Sequence, residues 1–187
     1  MKKLVVLTIG LVGVLLSGCG SNYKCDSKEY AESALNLLLF QNSAGSGDKD
    51  LTYQSLGFEI SDDIMLAKLD KANKQSICKV QVSNKFVTQL AKDLRSGNLR
   101  QIMQDKSKNK SENLQMVTGL MGDISIMYLA FDFYDAIYKN NEEVDYNEAQ
   151  ALAGMAVIAA KVAVDGISYR VFDNGNGDIM INVDKVK

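Results

Sequence analysis

Residues 167–183 read ISYRVFDNGNGDIMINV, and this stretch contains the clearest fold signal in the chain. Apolar and polar residues alternate in two runs, which flank the consecutive pairs Asn174-Gly175 and Asn176-Gly177. Asn-Gly pairs are typical of tight hairpin turns, because the turn residues of such hairpins adopt positive φ angles. The sequence therefore predicts an antiparallel β-hairpin at this end of the chain.

The same turn carries several oxygen donors, which raises the question of a calcium site. Asp184 is the twelfth residue counted from Asp173, the position of the last ligand in an EF-hand loop. Such a loop also needs Asp or Asn at its third and fifth positions, where this chain has Gly175 and Gly177. The segment is therefore interpreted as a turn, and no metal site is predicted.

A helix is predicted near the start of the chain. Asp26 is a suitable N-cap and Glu29 follows three residues later, so the two form a capping box. We expect this helix to cover about residues 27–41, because apolar residues recur there at helical spacing. The small polar residues 42–50 that follow indicate a loop.

Two further strands are predicted between this loop and the middle of the chain. Short apolar stretches around residues 58–60 and 77–82 have the composition of strands, and the polar residues 70–75 form a turn between them. The stretch at residues 64–69 fits either a strand or a helical turn.

Helical periodicity replaces alternation between residues 84 and 165. The last predicted helix is nearly apolar on all sides, so we expect it to be the buried centre of this block. A membrane-inserted helix is the alternative interpretation. The apolar spacing predicts four helices: one from Phe86 to a stop near Ser96-Gly97, a short one at residues 99–103, one of about 25 residues from Leu114 to Tyr138, and one from Asp145 to about Val164.

Together these elements predict an α+β fold. An N-terminal helix packs on a small antiparallel sheet formed by strands from both ends of the chain. A helical block of about residues 86–165 is inserted between those strands. The length of 187 residues suits one domain, which we expect to cover residues 26–187.

The composition excludes several classes of enzyme and binding protein. The chain has no histidine, tryptophan or proline, so no imidazole is available as a base, proton shuttle or metal ligand. It contains neither a glycine-rich phosphate loop nor a nucleophile elbow. A formal net charge of −2 favours neither a nucleic-acid partner nor an anionic membrane surface. No catalytic residue and no cofactor are therefore predicted.

The first eighteen residues have the layout of an export signal. Lys2 and Lys3 are followed by a mostly apolar run from Leu4 to Leu16, which is shorter than a membrane-spanning helix. Residues 16–19, Leu-Ser-Gly-Cys, resemble the lipobox of bacterial lipoproteins. An ordinary secretory signal cut near residue 18 is the alternative.

The lipobox resemblance implies that the chain is cut before Cys19 and that this cysteine receives a diacylglycerol thioether. Residues 1–18 are then the signal peptide, and residues 19–25 are the lipidated cysteine and a short tether. Gly20 stands where lipoproteins retained in the inner membrane of enteric bacteria typically carry aspartate. The resemblance therefore implies a lipid anchor in the outer membrane and a domain that faces the periplasm.

Two cysteines remain once Cys19 is assigned to lipid. An even pair in an oxidising compartment predicts a disulfide between Cys25 and Cys78. Two free buried thiols are the alternative. Catalytic use of either thiol is not expected, because the sequence offers neither a histidine nor a Cys-x-x-Cys spacing to lower its pKa.

Two groups of side chains are candidates for a functional site. Methionines and aromatic residues of the long helix could line a groove for an apolar ligand or a partner protein. Packing in the protein core is the simpler interpretation for most of this group, which includes Met116, Met121 and Met127. We single out Phe133, Tyr134 and Tyr138 as a possible partner surface, and Phe133 in particular because it falls off the main apolar stripe. Two acidic groups, Asp123, Asp132 and Asp135 and then Glu142, Glu143 and Asp145, could hold a catalytic pair of a glycosidase, although solvated flanks and helix starts explain them more simply.

The leading hypothesis is a non-catalytic lipoprotein of the cell envelope that binds an envelope protein, as an inhibitor or an immunity-like protective protein does. Its partners would be the membrane, through lipid on Cys19, and that protein. A carboxylate-dependent hydrolase of cell-wall glycan is one alternative. A carrier of an apolar ligand is the other.

Overall fold

The structure is a computed structural model, which describes residues 24–40, 51–138, 142–176 and 178–183. The predicted α+β class is confirmed, with six helices and four strands in these ranges. In chain order the elements are α1 (Lys28–Phe40), β1 (Phe58–Asp70), β2 (Gln75–Asn84), α2 (Lys85–Ser96), α3 (Leu99–Ser107), α4 (Glu112–Met121), α5 (Ile124–Ile137), α6 (Tyr146–Asp165), β3 (Ile167–Asp173) and β4 (Ile179–Val183). The predicted signal peptide at 1–18, Cys19, the loop at 42–50 and Asp184 lie outside the described residues.

One antiparallel sheet, in the order β1-β2-β3-β4, joins strands from both halves of the chain. The junction is the pair β2 and β3, in which Cys78 lies opposite Tyr169. The predicted hairpin is confirmed as β3 and β4. Its turn is closed by the backbone N–H of Asn174, which donates to the carbonyl of Asp178 at 3.1 Å, and Gly175 has a φ of 90°.

Strand β1 is long and irregular. Residues 64–69, which fit either a strand or a helical turn, continue β1. The register of β1 against β2 shifts between Ile60 and Ile64 and again between Leu66 and Lys68. Extra residues at such bulges decide which face the following side chains occupy. Ile60, Ile64 and Leu66 lie opposite core-facing residues of β2, and the extra residue after Leu66 places Leu69 opposite the buried Ser76.

Helix α1 covers one face of the sheet and contacts β1, β3 and β4. Its alanines and leucines recur at helical spacing, and Ala31, Ala34 and Leu35 are fully buried. Cys25 precedes α1, and its sulfur lies 2.07 Å from that of Cys78 in β2, which is the pairing expected from the sequence.

The helical block occupies the whole interval between β2 and β3. Asn84, the last residue of β2, caps α2 by accepting hydrogen bonds from the backbone N–H groups of Phe86 at 2.9 Å and Val87 at 3.3 Å. Its side-chain amide also donates to the carbonyl of Leu56 at 3.0 Å. Helix α2 ends at Gly97, whose φ is 74°, close to the predicted stop.

The prediction of one long helix from Leu114 to Tyr138 is wrong. Two helices, α4 and α5, occupy this stretch and are separated at Gly122 and Asp123. Gly122 ends α4 with a φ of 68°, and the carboxylate of Asp123 caps α5 by accepting from the N–H of Ser125 at 2.8 Å. The apolar spacing continues across the break because both helices pack against α6.

Helix α6 is the centre of the block, as predicted from its apolar composition. It contacts α4, α5 and the adjacent strand β2. Its small residues Ala149, Ala156 and Ala159 are fully buried, which lets the neighbouring helices approach closely. Among the described residues, the structure has no helix with the length and apolar character needed to cross a membrane.

Candidate functional site

Most of the partner surface predicted from the sequence is wrong. Phe133 and Tyr134 are fully buried. The ring of Phe133 is 6.1 Å from that of Phe58 and meets the ring of Phe86 edge-on at 5.3 Å. Phe133 falls off the main apolar stripe of α5 because it packs on β1 and α2, a second set of neighbours. Because α5 is packed on several sides, the rings of Phe133 and Tyr134 do not face solvent.

Tyr134 and Tyr138 act together as a brace between α5 and the start of α6. Their rings stack with centroids 5.6 Å apart. The hydroxyl of Tyr134 donates to the carbonyl of Glu142, and that of Tyr138 donates to Glu148 at 3.2 Å. Burial, followed by the nearby Glu148 carboxylate, raises the pKa of Tyr138 to about 12. Tyr138 is only half-buried, but its contacts are internal.

The acidic residues of α5 belong to a charged seam with the lysines beside α3. The ammonium group of Lys106 donates to Asp132 and lies 4.3 Å from the centroid of the Tyr128 ring. Lys110, whose side chain is 7% exposed, donates to Asp135. These contacts hold the α3 region against α5.

Asp132 is the most perturbed carboxyl group of this seam. Burial raises its pKa above the usual range, and the hydrogen bond and charge of Lys106 oppose that rise. The charge of Asp135 raises the pKa further, while that of Lys110 lowers it. The pKa of Asp132 is raised overall, so the effect of burial outweighs that of the two lysines.

The other acidic candidates support helix ends and loops. Asp123 caps α5, and Asp145 forms the capping box of α6 with Glu148. Glu143 accepts a hydrogen bond from the hydroxyl of Ser111 at 2.6 Å. These roles give the carboxylates structural partners rather than a shared cleft. Within the described ranges, no group of three or more acidic or cysteine side chains is arranged to hold a metal ion.

A groove lies between α3 and α5, and it is the best candidate for a functional site. We call it the methionine groove. It has a volume of about 430 Å³, within the range of ligand-binding clefts, and it is open along one side. Apolar side chains form its walls and three polar side chains stand with them. It is lined by Arg100, Met103, Gln104 and Ser107 of α3, by Gly122, and by Ile124, Met127 and Phe131 of α5.

Exposed apolar residues also lie on α4, which directly precedes the groove residue Gly122 in the chain. Leu120 is 77% exposed, and Met116, one helical turn earlier, is 49% exposed. Met121 and the groove residue Ile124 are each 44% exposed. Scattered apolar residues are ordinary on protein surfaces, but a contiguous group beside a groove is typical of an interaction site.

The methionines are visible in the sequence, but the groove is not. Met127 lines it and Met116 and Met121 lie beside it, whereas Met103, Ile124 and Arg100 were missed. The groove lies where α3 packs against α5, next to the break between α4 and α5 at Gly122. The Gly122-Asp123 pair was the available signal, because glycine ends helices and aspartate starts them.

A second cavity, of about 530 Å³, lies between α1 and the edge strand β4. Leu37 and Met180 line it and are 41% and 46% exposed. Polar side chains of Ser33 and Asn36 form the rest of its α1 wall. It is less apolar than the methionine groove.

No protein-family model, curated protein or solved structure matches this chain.

Proposed function

We propose that this chain is a lipoprotein of the bacterial cell envelope that binds another envelope protein through the methionine groove. The main supporting observation is the apolar groove itself, together with the exposed apolar side chains of α4, the helix that directly precedes the groove residue Gly122 in the chain. Methionine side chains are unbranched and adaptable, so a surface of this kind accommodates a partner helix or loop. Such a protein could act by inhibiting an enzyme or by protecting the cell against a toxin.

The chemistry of the groove restricts the partner. Its walls are apolar, whereas Arg100 supplies a positive charge among the lining residues. Guanidinium groups bind carboxylates with two parallel hydrogen bonds, so an acidic side chain is the natural counterpart. We therefore propose a partner segment that presents an apolar face flanked by an Asp or Glu.

The lipid anchor is the second part of the proposal. Its support is the sequence of residues 16–19, which resembles a lipobox, together with the basic and apolar residues before it. Cys19 would carry the lipid, and Gly20 favours the outer membrane, with the domain in the periplasm. Multiple acyl chains hold a protein on a bilayer far more firmly than one chain does.

Two other functions have weaker support. A carrier of an apolar small molecule needs a site that encloses most of its ligand, whereas the methionine groove is open. A glycan hydrolase needs one carboxylic acid and one carboxylate on opposite sides of the scissile bond. Asp132 instead is paired with Lys106, and Glu143 with Ser111.

The protein-binding proposal is tested by photo-crosslinking in intact cells, with a photoreactive amino acid at position 124. The control places the same residue at position 164, since Val164 is 76% exposed and does not line the groove. We expect one discrete adduct at position 124 and none at 164. The captured protein is then purified and titrated against the domain.

Two matched substitutions decide whether the captured protein binds at the groove. Ile124→Glu and Val164→Glu each replace an exposed apolar residue with the same charge. We expect Ile124→Glu to weaken binding at least about tenfold, as loss of a central apolar contact does, and Val164→Glu to leave it unchanged. Equal affinities of both variants and the unmodified protein would contradict the proposal.

A further inference from the structure

The far end of the β1–β2 hairpin is unusually apolar for an exposed segment. We call residues 64–75 the hairpin tip. Met65 is 57% exposed, Leu66 52% and Leu69 41%. The other large exposed apolar residues lie elsewhere in the fold, several of them beside the methionine groove. The tip is therefore a second apolar surface, and the proposed protein-binding site does not account for it.

The pairing of β1 and β2 places these side chains on both sides of the tip. Leu66 lies opposite Cys78, and Leu69 lies opposite Ser76, so both leucines lie on the core face of the sheet. Met65 lies opposite Lys79, on the other face. Cys78 itself is fully buried, whereas Leu66, its partner on the edge strand β1, is half exposed.

Several lysines accompany this apolar group in the hairpin. Lys68 on β1, Lys71 at the turn and Lys79 on β2 are exposed, and the exposed Lys74 lies 3.6 Å from the carboxylate of Asp173. The carboxylate of Asp70 accepts hydrogen bonds from the backbone and side chain of Asn73, and that of Asp62 at the bulge accepts from Lys28. Apolar side chains among basic ones are the composition of protein surfaces that lie on anionic bilayers.

The route of the chain brings this tip close to the proposed anchor. Only five residues separate Cys19 from Cys25. Six extended Cα steps reach about 20 Å. The Cα atoms of Cys25 and Cys78 are 5.5 Å apart. Because Cys78 lies opposite Leu66, a lipid on Cys19 is within about 30 Å of the tip.

The opposite end of β2 carries the helical block. Helix α2 begins at Lys85, directly after the last residue of β2, whereas the tip lies at the first residue, Gln75. Ten residues of strand span roughly 30 Å. A bilayer that touches the tip therefore leaves the helical block, with its methionine groove, at the far end of this strand.

We infer that the hairpin tip is a membrane-contacting surface, in which Met65, Leu66 and Leu69 enter the interface of a bilayer and the accompanying lysines meet anionic lipid headgroups. This inference rests on the lipid anchor of the proposed function. The anchor supplies proximity, and the tip supplies orientation. Together they fix the domain at two points instead of letting it turn about a single tether.

The absence of tryptophan from the chain permits a direct test. Single tryptophans are introduced by Leu66→Trp, Leu69→Trp and, as a control at an exposed residue beside the methionine groove, Leu120→Trp. The full chain is expressed with its own leader, purified from membranes and reconstituted into phosphatidylethanolamine and phosphatidylglycerol vesicles that contain acyl-brominated phosphatidylcholine. Bromine quenches tryptophan fluorescence only at close range.

We expect fluorescence to fall by at least about half for Leu66→Trp and Leu69→Trp and by less than about a tenth for Leu120→Trp, because only the tip enters the interface. Combining Leu66→Trp with Lys68→Gln and Lys71→Gln should reduce quenching in the anionic vesicles but not in zwitterionic ones. Circular dichroism and the mass of the linked Cys25 and Cys78 peptides confirm that each variant is folded.

Mass analysis of Cys19 separates the two ways in which the inference can fail. A lipidated protein whose tip tryptophans are unquenched, or are quenched no more than Leu120→Trp, overturns the inference and leaves the anchor in place. Unquenched tip tryptophans together with a dimeric mass in detergent assign the tip to a second copy, which also overturns it. A Cys19 without lipid overturns the proposed anchor and this inference with it.

Discussion

Lys106 and Asp132 form an ion pair between α3 and α5 in which burial of the carboxyl group outweighs its attraction to the lysine. The side chains are 22% and 11% exposed, so neither is fully solvated. The free-energy cost of removing one partner from such a pair is commonly larger than the net contribution of the pair itself. This asymmetry makes the pair a sensitive probe of the helical block.

Lys106→Met should destabilise the protein by about 2 to 4 kcal/mol at pH 7, because it leaves a buried carboxylate without its lysine. Burial already raises the folded-state pKa of Asp132 above 3.8, and loss of Lys106 raises it further. Because the folded pKa is raised, the contribution of Asp132 to stability is most favourable below pH 3.8 and is lost as the pH rises through the folded pKa. The cost should therefore be much smaller at pH 4 in urea-unfolding measurements.

Asp132→Asn is the matched control for this prediction, because it removes the charge but keeps the shape. The double variant of Lys106→Met with Asp132→Asn should regain most of the lost stability at pH 7. A cost of Lys106→Met that is the same at pH 4 and pH 7, or that Asp132→Asn does not relieve, would contradict this account of the seam.

Tyr169→Phe should stabilise the protein. The hydroxyl of Tyr169 is buried without a hydrogen-bond partner among the described residues, and burial raises its pKa to about 12. An unsatisfied buried hydroxyl costs about 1 to 3 kcal/mol, so its removal should raise the unfolding free energy by about 1 kcal/mol. Tyr53→Phe is the control and should destabilise, since the Tyr53 hydroxyl donates to Glu32 at 2.8 Å. Destabilisation by Tyr169→Phe would show that the hydroxyl is satisfied.

The disulfide should be a large contributor to stability. The cysteines are 53 residues apart in sequence, and the chain-entropy model assigns about 4 kcal/mol to a loop of that size. The double substitution Cys25→Ser and Cys78→Ser should lower the urea midpoint accordingly. Non-reducing peptide mapping of the protein made in bacteria from its full sequence should recover the two cysteine peptides linked. Free thiols at both positions would refute the pairing.

Gly122→Ala should destabilise the junction of α4 and α5 by about 1 kcal/mol, because an alanine is strained at the φ of 68° found there. An added Cβ meets no atom within 4 Å, so the effect is conformational. Gly119→Ala is the control: it lies inside α4 with equally open space and should stabilise by about 0.5 to 1 kcal/mol. Thermal unfolding of both variants checks the contrast, and similar effects would disprove it.

The sequence predicts most elements of the fold because their signals are local. The Asn-Gly turn, the capping box at Asp145 and the stop at Gly97 depend on backbone conformation near each residue, and the structure has a turn or a helix end at each. The break at Gly122 was missed because the apolar spacing continues through it. The spacing is continuous because α4 and α5 both pack against α6.

The candidate site was harder to predict because it depends on tertiary packing. The position of Phe133 on its helix suggested a free surface, but β1 and α2 cover it. Met103 and Ile124 are distant in sequence and meet only when α3 folds against α5. The spacing of apolar residues within a single helix does not show which other helix it will pack against.

The lipid on Cys19 is the central claim, because it assigns the domain to an envelope and brings the hairpin tip to a bilayer. The most direct test is the mass of the amino-terminal peptide of the protein made in bacteria from its full sequence and recovered from membranes. The account predicts a chain that begins at Cys19 and carries a diacylglyceryl thioether. A chain that retains residues 1–18, with an unmodified Cys19 thiol, would contradict it.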